Sequence, residues 1–276
     1  MTDNGNVIEI ERYAKKETAE FQFRRLEKKF LINTAAAEIM KGQVGFYLPN
    51  DEKAYKYPGI RSVYFDNREL KCFNEHMNKV NPRFKVRFRQ YKKDENIQGA
   101  GFLEIKKKNN EVTVKDRFKA DFCLIDKITD ETLPDFIVSE NKGLNIDKLS
   151  CIYYEITGKM GLYKLEPVTA VNYRREAFEN SERTLRITFD SDLEFEAMPN
   201  KILGFSALKS SMPQDFIIME IKYADSMPEW LKSLLKFNGL RSEHFSKYCE
   251  SIRKLKLSAE SSQMNAVPGF NLFKIN

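Results

Sequence analysis

Histidine and cysteine are scarce in this chain of 276 residues. His76 and His244 are the only imidazoles, which argues against a histidine-built metal cage or a Ser-His-Asp triad. Cys72, Cys123, Cys151 and Cys249 are scattered, with no CxxC pair, so neither a zinc site nor a disulfide framework is indicated. No GxxxxGK[ST] and no GxGxxG occurs, which removes phosphate chemistry on a P-loop or Rossmann scaffold. With 12 Gly and 9 Pro the chain is neither collagenous nor low in complexity. No apolar run approaches the ~20 residues a membrane helix needs. The opening MTDNGNVIEIERYAKK lacks the basic-then-apolar order of a signal peptide. These absences predict a cytoplasmic protein, with any metal a hard ion held by carboxylates.

What is present favours strands. Aromatics make up 12% of the residues, mostly Phe and Tyr. Alternating segments predict strands at Phe23–Ile32, Ile60–Phe65, Phe84–Tyr91, Gly101–Lys108, Glu111–Lys119, Pro167–Phe178, Thr184–Asp190 and Phe216–Tyr223. Helices are expected at Thr34–Lys41, capped by Asn33 or Thr34, at Met227–Asn238 behind Ser226, and after Ser242 with Phe245, Tyr248, Cys249, Ile252 and Leu255 as its apolar stripe. Asp147–Met160 is ambiguous. A polar leader (1–20) and a tail (258–276), which could dock through Phe270 and Phe273, flank one domain over 21–257. Sequential strands joined by short turns predict an α+β fold: an antiparallel sheet closed as a barrel, with helices on its ends or outside.

The charged residues carry the chemistry. Net charge is only 46 − 40 = +6, so a positive field requires clustering. Lys85, Arg87 and Arg89 share one parity of FKVRFRQY; Glu104, Lys106 and Lys108 share one parity of GFLEIKKK. The same holds for Arg25, Glu27 and Lys29, for Glu220 and Lys222, and for Arg186, Thr188 and Asp190. Period 2 puts each set on one face of its strand. A solvated face would mix signs more evenly. If the sheet closes, these residues line its lumen and the apolar parity meets the helices. A lumen of Lys and Arg with a few Glu suits a phosphate chain bridged by a divalent metal.

RLEKKF (25–30), IRSVYFD (60–66), KVRFRQY (85–91), FLEIKKK (102–108), VKDRF (114–118), NYRREAF (172–178), LRITFD (185–190), IMEIKY (218–223) and FSKYC (245–249) occur in that order. The ordered set resembles the VTC domain, the catalytic domain of vacuolar transporter chaperone-type polyphosphate polymerases. These belong to the triphosphate tunnel metalloenzymes, or CYTH superfamily. The resemblance implies a closed eight-stranded antiparallel barrel, the triphosphate tunnel. It implies phosphate and ATP ligands at Lys29, Arg87, Arg89, Lys106, Lys115, Arg175, Arg186, Ser246 and Lys247. Arg87, Arg89, Arg186 and Lys247 would act on the reacting phosphates. Glu220 is implied as the ligand of Mn²⁺ or Mg²⁺, with Glu27 second.

Expected substrates are ATP and inorganic polyphosphate or pyrophosphate. Nucleic acid is not an expected partner; a membrane partner stays open, although the chain reads as a stand-alone protein without a membrane segment. A tunnel triphosphatase and a non-catalytic polyphosphate-binding module are the alternatives. One departure from the superfamily pattern matters. The usual E-x-E-x-K is Arg25-x-Glu27-x-Lys29 here, which favours the VTC branch and leaves fewer carboxylates for a metal. Glu27 and Glu104 could equally serve only as partners of neighbouring cations. Tyr64, Phe65 and Trp230 read as packing residues, and Arg174 and His244 as solvated ones.

Overall fold

The computed structural model describes residues 25–92, 100–110, 112–128, 132–199 and 208–265. The strands are β1 (Arg25–Asn33), β2 (Gly59–Asp66), β3 (Arg83–Lys92), β4 (Ala100–Asn109), β5 (Val112–Asp121), β6 (Glu166–Glu179), β7 (Leu185–Ala197), β8 (Lys209–Ser211) and β9 (Phe216–Ala224). They form one antiparallel sheet in the order β1-β9-β7-β6-β2-β3-β4-β5, with β8 on β7. The expected leader lies outside the described residues, as do Phe270 and Phe273 of the tail.

The predicted closed barrel does not form. β1 and β5 are the two edges of the path and do not pair with each other. The sheet curls until a side chain from the strand next to one edge reaches the other edge: Lys106 of β4 lies 3.7 Å from Glu27 of β1. The lips meet through side chains alone: Lys115 and Arg117 of β5 turn back to Glu104 of β4, and among the described residues no backbone ladder joins β5 to β1.

Helices take up the apolar parity on the convex side. α1 (Thr34–Gly45) starts where the Asn33 side chain accepts from Ala36 N at 2.8 Å. The short α2 (Glu52–Lys56) and α3 (Lys71–Met77) follow β1 and β2 in the chain, and α4 (Asp135–Glu140) follows β5. The ambiguous segment is a helix, α5 (Ile146–Tyr163), because Asn145 caps Asp147 N and Lys148 N, and Lys164 ends it in the left-handed region. α6 (Glu229–Phe237) begins behind Pro228 rather than Ser226, and Gly239 follows it at φ 64°. α7 runs over Lys247–Asn265, eight residues beyond the expected domain end at 257. α1 and α6 cover Phe30, Phe189, Met219 and Ile221 in one core. α5 covers Val86, Phe88, Leu103, Ile105 and Phe118 in the other.

Two details set the concave face. β4 approaches β3 so closely at Gly101 that a Cβ there would stand 2.4 Å from the Arg89 carbonyl oxygen. Between Asn172 and Arg174 the β6–β7 register shifts, and Asp192 adopts φ 53°. This bulge switches the inward parity of β7 from Asp190 to Leu193 and Phe195. One half of the hollow is therefore ionic and the other apolar. α7 lies on the apolar half: Tyr248, Ile252 and Leu255 pack into one buried cluster with Val171, Leu193 and Phe195.

Candidate functional site

The inward residues form rungs across neighbouring strands. One rung is Glu27, Lys222, Arg186 and Glu179; the next holds Lys29, Glu220 and Thr188; a third holds Asp190 and Arg175. On the other arm Arg117, Glu104, Arg87 and Tyr64 stand abreast, as do Lys115, Lys106 and Lys85. Three carboxylates organise this field.

Glu104 is buried and bound by Arg87 Nε at 2.7 Å, Lys115 at 3.2 Å and Arg117 at 3.4 Å. Burial alone would push its pKa up, but Lys115, Arg87, Arg89 and Arg117 hold it well below the usual carboxylate range. Asp190, also buried, takes Arg175 in a fork at 2.6 and 2.8 Å and Lys247 at 2.5 Å. Burial again opposes the charge, and Arg175 and Lys247 bring its pKa down to about 2. Glu220 is held by Lys222 at 2.7 Å and Lys29 at 3.6 Å. Lys29 also binds Glu27 at 3.1 Å and donates to the Phe245 carbonyl at 3.0 Å. Burial and the facing Glu220 both disfavour charge on Glu27, yet Lys222, Lys29 and Lys106 keep it ionised.

α7 brings its first turn to this field. The Glu243 amide donates to the Lys29 carbonyl at 2.8 Å, which pins the approach to β1. Ser246 Oγ accepts from Lys85 at 2.8 Å, and Lys247 lies 4.7 Å above the Tyr173 ring. Among the described residues the Arg89 guanidinium bonds hydroxyls, Ser62 at 3.3 Å and Tyr173 at 3.0 Å.

The hollow thus gathers Lys29, Arg87, Arg89, Lys106, Lys115, Arg175, Ser246, Lys247, Glu27 and Glu220. Arg186 stands at its margin, where it pairs with Asp51 at 2.9 Å and Glu179 at 3.1 Å. The site roles implied by the resemblance leave out Lys85, Arg117, Asp190 and Lys222. Strand parity reaches all four: each lies two or four residues from a motif residue on the same face. Of the residues expected to be structural, Tyr64 and Phe65 are buried and Trp230 stacks on Tyr47 at 4.1 Å, while Arg174 and His244 are exposed.

Among the described residues no three His, Cys, Asp or Glu side chains cluster as a ready metal cage. The donor set still suits Mg²⁺ or Mn²⁺, because such ions are commonly bound by one or two carboxylates plus substrate phosphates. Glu220 and Glu27 are the two carboxylates on adjacent strands, both ionised.

No helix among the described residues is long and apolar enough to cross a membrane. No curated protein matches the chain. A solved structure from Bacillus halodurans, provisionally described as an adenylate cyclase, aligns with 80% of this chain and 93% of its own at 10% identity. Its TM-score is 0.43. The family model for the VTC domain spans residues 24–256, every element that supplies the hollow. By that match the chain belongs to the VTC domain family.

Proposed function

We propose that this protein is a polyphosphate polymerase that transfers the γ-phosphoryl group of ATP to the end of a growing inorganic polyphosphate chain. The observation that carries this reading is the convergence of inward Lys and Arg from separate strands and α7 onto one hollow, around three buried carboxylates. Glu104, Asp190 and Glu220 hold the cations in fixed positions before any phosphate arrives. The positive field is preorganised, which is what stabilisation of a phosphoryl-transfer transition state requires.

In this reading Lys29, Arg87, Arg89, Lys106, Lys115 and Arg175 bind the non-bridging oxygens of ATP and of the acceptor chain. Arg87, Arg89, Arg186 and Lys247 offset charge on the moving phosphoryl group, and Ser246 orients it at the start of α7. An oxygen of the terminal phosphate attacks the γ-phosphorus, the bond to the β-phosphate oxygen breaks, and ADP leaves. The attacking group is already anionic near neutral pH, so no strong protein base is needed. When bound on Glu220 and Glu27, Mn²⁺ or Mg²⁺ supplies charge neutralisation to the phosphate oxygens. Pyrophosphate or a short chain would prime the reaction.

The test is incubation of purified protein with ATP and Mn²⁺, followed by sizing of the phosphate-containing products on a gel. Long chains support the polymerase. Orthophosphate alone identifies a tunnel triphosphatase, with water in place of the acceptor. Binding of tripolyphosphate without turnover leaves only a binding module. Tripolyphosphate, and not DNA, should compete with the bound chain. Glu220→Gln should abolish metal-dependent turnover and spare tripolyphosphate binding.

A further inference from the structure

The cation rows do not stop at the hollow. Inside it each carboxylate separates like charges, but along β3 and β4 that alternation ends. Lys85 faces Lys106, which faces Lys115, and these last two still find Glu27 and Glu104; the next rung outward is Arg83 facing Lys108. Like charges directly opposite on neighbouring strands repel, and at the outer rung no carboxylate among the described residues pairs with either cation.

The outer rung opens into a groove. Arg83 and Lys108 line a cavity of about 290 Å³ with Lys71 and Glu75 of α3, Lys107 of β4 and Lys159 of α5. Two of these cations are already neutralised: Lys71 by Glu75, and Lys107 by Glu155 at 2.6 Å and Asp116 at 3.0 Å. The other three have no carboxylate partner among the described residues. Arg83 donates to the Val80 carbonyl at 2.8 Å, Lys159 stands 4.8 Å over the Phe84 ring, and Lys108 is half-buried. His76 of α3 registers the joint field. Burial, then Lys85, Arg83, Lys29 and Lys106, push its pKa down to about 3, so hollow and groove act on one imidazole.

We propose that this groove, at the start of β3 between α3 and α5, is a second phosphate-chain site that takes the length of an inorganic polyphosphate projecting from the hollow. The inference rests on the phosphate-chain reading of the hollow. A rung spacing of ~7 Å carries the chain from Lys85 and Lys106 to Arg83 and Lys108 without a gap in positive charge. Lys159 of α5, over Phe84 on the helix-covered face, continues the row round the strand ends.

The test compares tripolyphosphate with a long-chain polyphosphate, on the full chain and on Lys108→Ala/Lys159→Ala. Tripolyphosphate fits within the hollow, and its affinity should stay within about twofold. Long-chain affinity should fall roughly tenfold, since two charge-assisted contacts are lost. Equal loss for both ligands, or no loss for the long chain, overturns the proposal. Displacement of the long chain from the full-length wild type by single-stranded DNA at equal phosphate concentration overturns it too. Lys108→Ala alone, with an unchanged melting temperature, guards against a folding defect and should show part of the long-chain effect. If wild type binds the long chain but not tripolyphosphate, and the double variant loses it, the hollow reading fails while the groove stands. If wild type binds neither, both fall.

Discussion

Lys85 differs from the other inward cations in its surroundings. Ser246 Oγ and Cys249 Sγ, at 3.7 Å, are its hydrogen-bond acceptors, and the Tyr248 ring of α7 lies 5.6 Å away. Lys29 from β1, Lys106 from β4 and His76 from α3 face it, with Arg83 and Arg87 on its own strand. Burial first, then Lys29 and Lys106, bring its pKa down to about 8. A depressed lysine costs stability while it is charged, and that cost is relieved as pH rises from about 8 toward 10.5. A bound phosphate reverses the shift, so binding takes up a proton. Tripolyphosphate affinity should therefore weaken as pH rises through about 8, and calorimetry in buffers of different ionisation enthalpy should detect the proton. Lys85→Arg should bind with neither effect. Asp190 works in the opposite sense. Its stabilisation is present above pH 3.8 and is lost as pH falls toward 2. Asp190→Asn leaves Arg175 and Lys247 buried without their carboxylate, which should cost about 3–5 kcal/mol in urea unfolding. Added tripolyphosphate should restore part of the loss. At this scale the sequence was largely readable: E-x-K and R-x-R on alternating strands name the face. The roles of Lys85 and Asp190 were not, because they depend on α7, more than 50 residues away from either in the chain.

Among the elements, strands were the most legible, because their side chains alternate between a helix-covered face and an ionic one. The end of β7 was not legible. In SDLEFEA the acidic residues keep one parity with Asp190, yet the bulge at Asp192 turns Glu194 and Glu196 outward and Phe195 inward. A single extra residue leaves no compositional mark. The short α3 escaped notice because its cap is remote from its own first turn. Asp66, at the end of β2, accepts from Cys72 N and Phe73 N at 2.9 Å and from the Tyr248 hydroxyl of α7. The β3–β4 contact is a tight joint between elements. Gly101→Ala would press a methyl group against the Arg89 carbonyl and the Phe88 ring, the latter at 2.7 Å. The strands must separate, and Arg89 moves with them. A loss of about 1–3 kcal/mol is expected, read as a lower melting temperature and weaker tripolyphosphate binding.

For the whole molecule, the sheet behaves as a curled ribbon with two lips rather than a sealed pipe. Repulsion among its inward cations opposes the curl, and an anion between them favours it. Tripolyphosphate at about 100 times its dissociation constant should add roughly 2.7 kcal/mol of stability, measurable as a rise in melting temperature that sulfate at equal ionic strength does not match. Closure could not be read from strand count. It depends on whether β1 and β5 come within hydrogen-bonding distance, which twist and charge decide together.

The contacts that complete the hollow also join the first two strands to α7 and the residues just before it. Lys29 meets Phe245 across 216 residues, and Asp66 meets Tyr248 across 182. During synthesis on the ribosome, the basic strands emerge well before the segment that anchors them. Until α7 docks, a nascent chain carries unfinished positive clefts in a cell full of RNA. Loops that long close slowly, so maturation of the binding centre belongs to the last moments of folding.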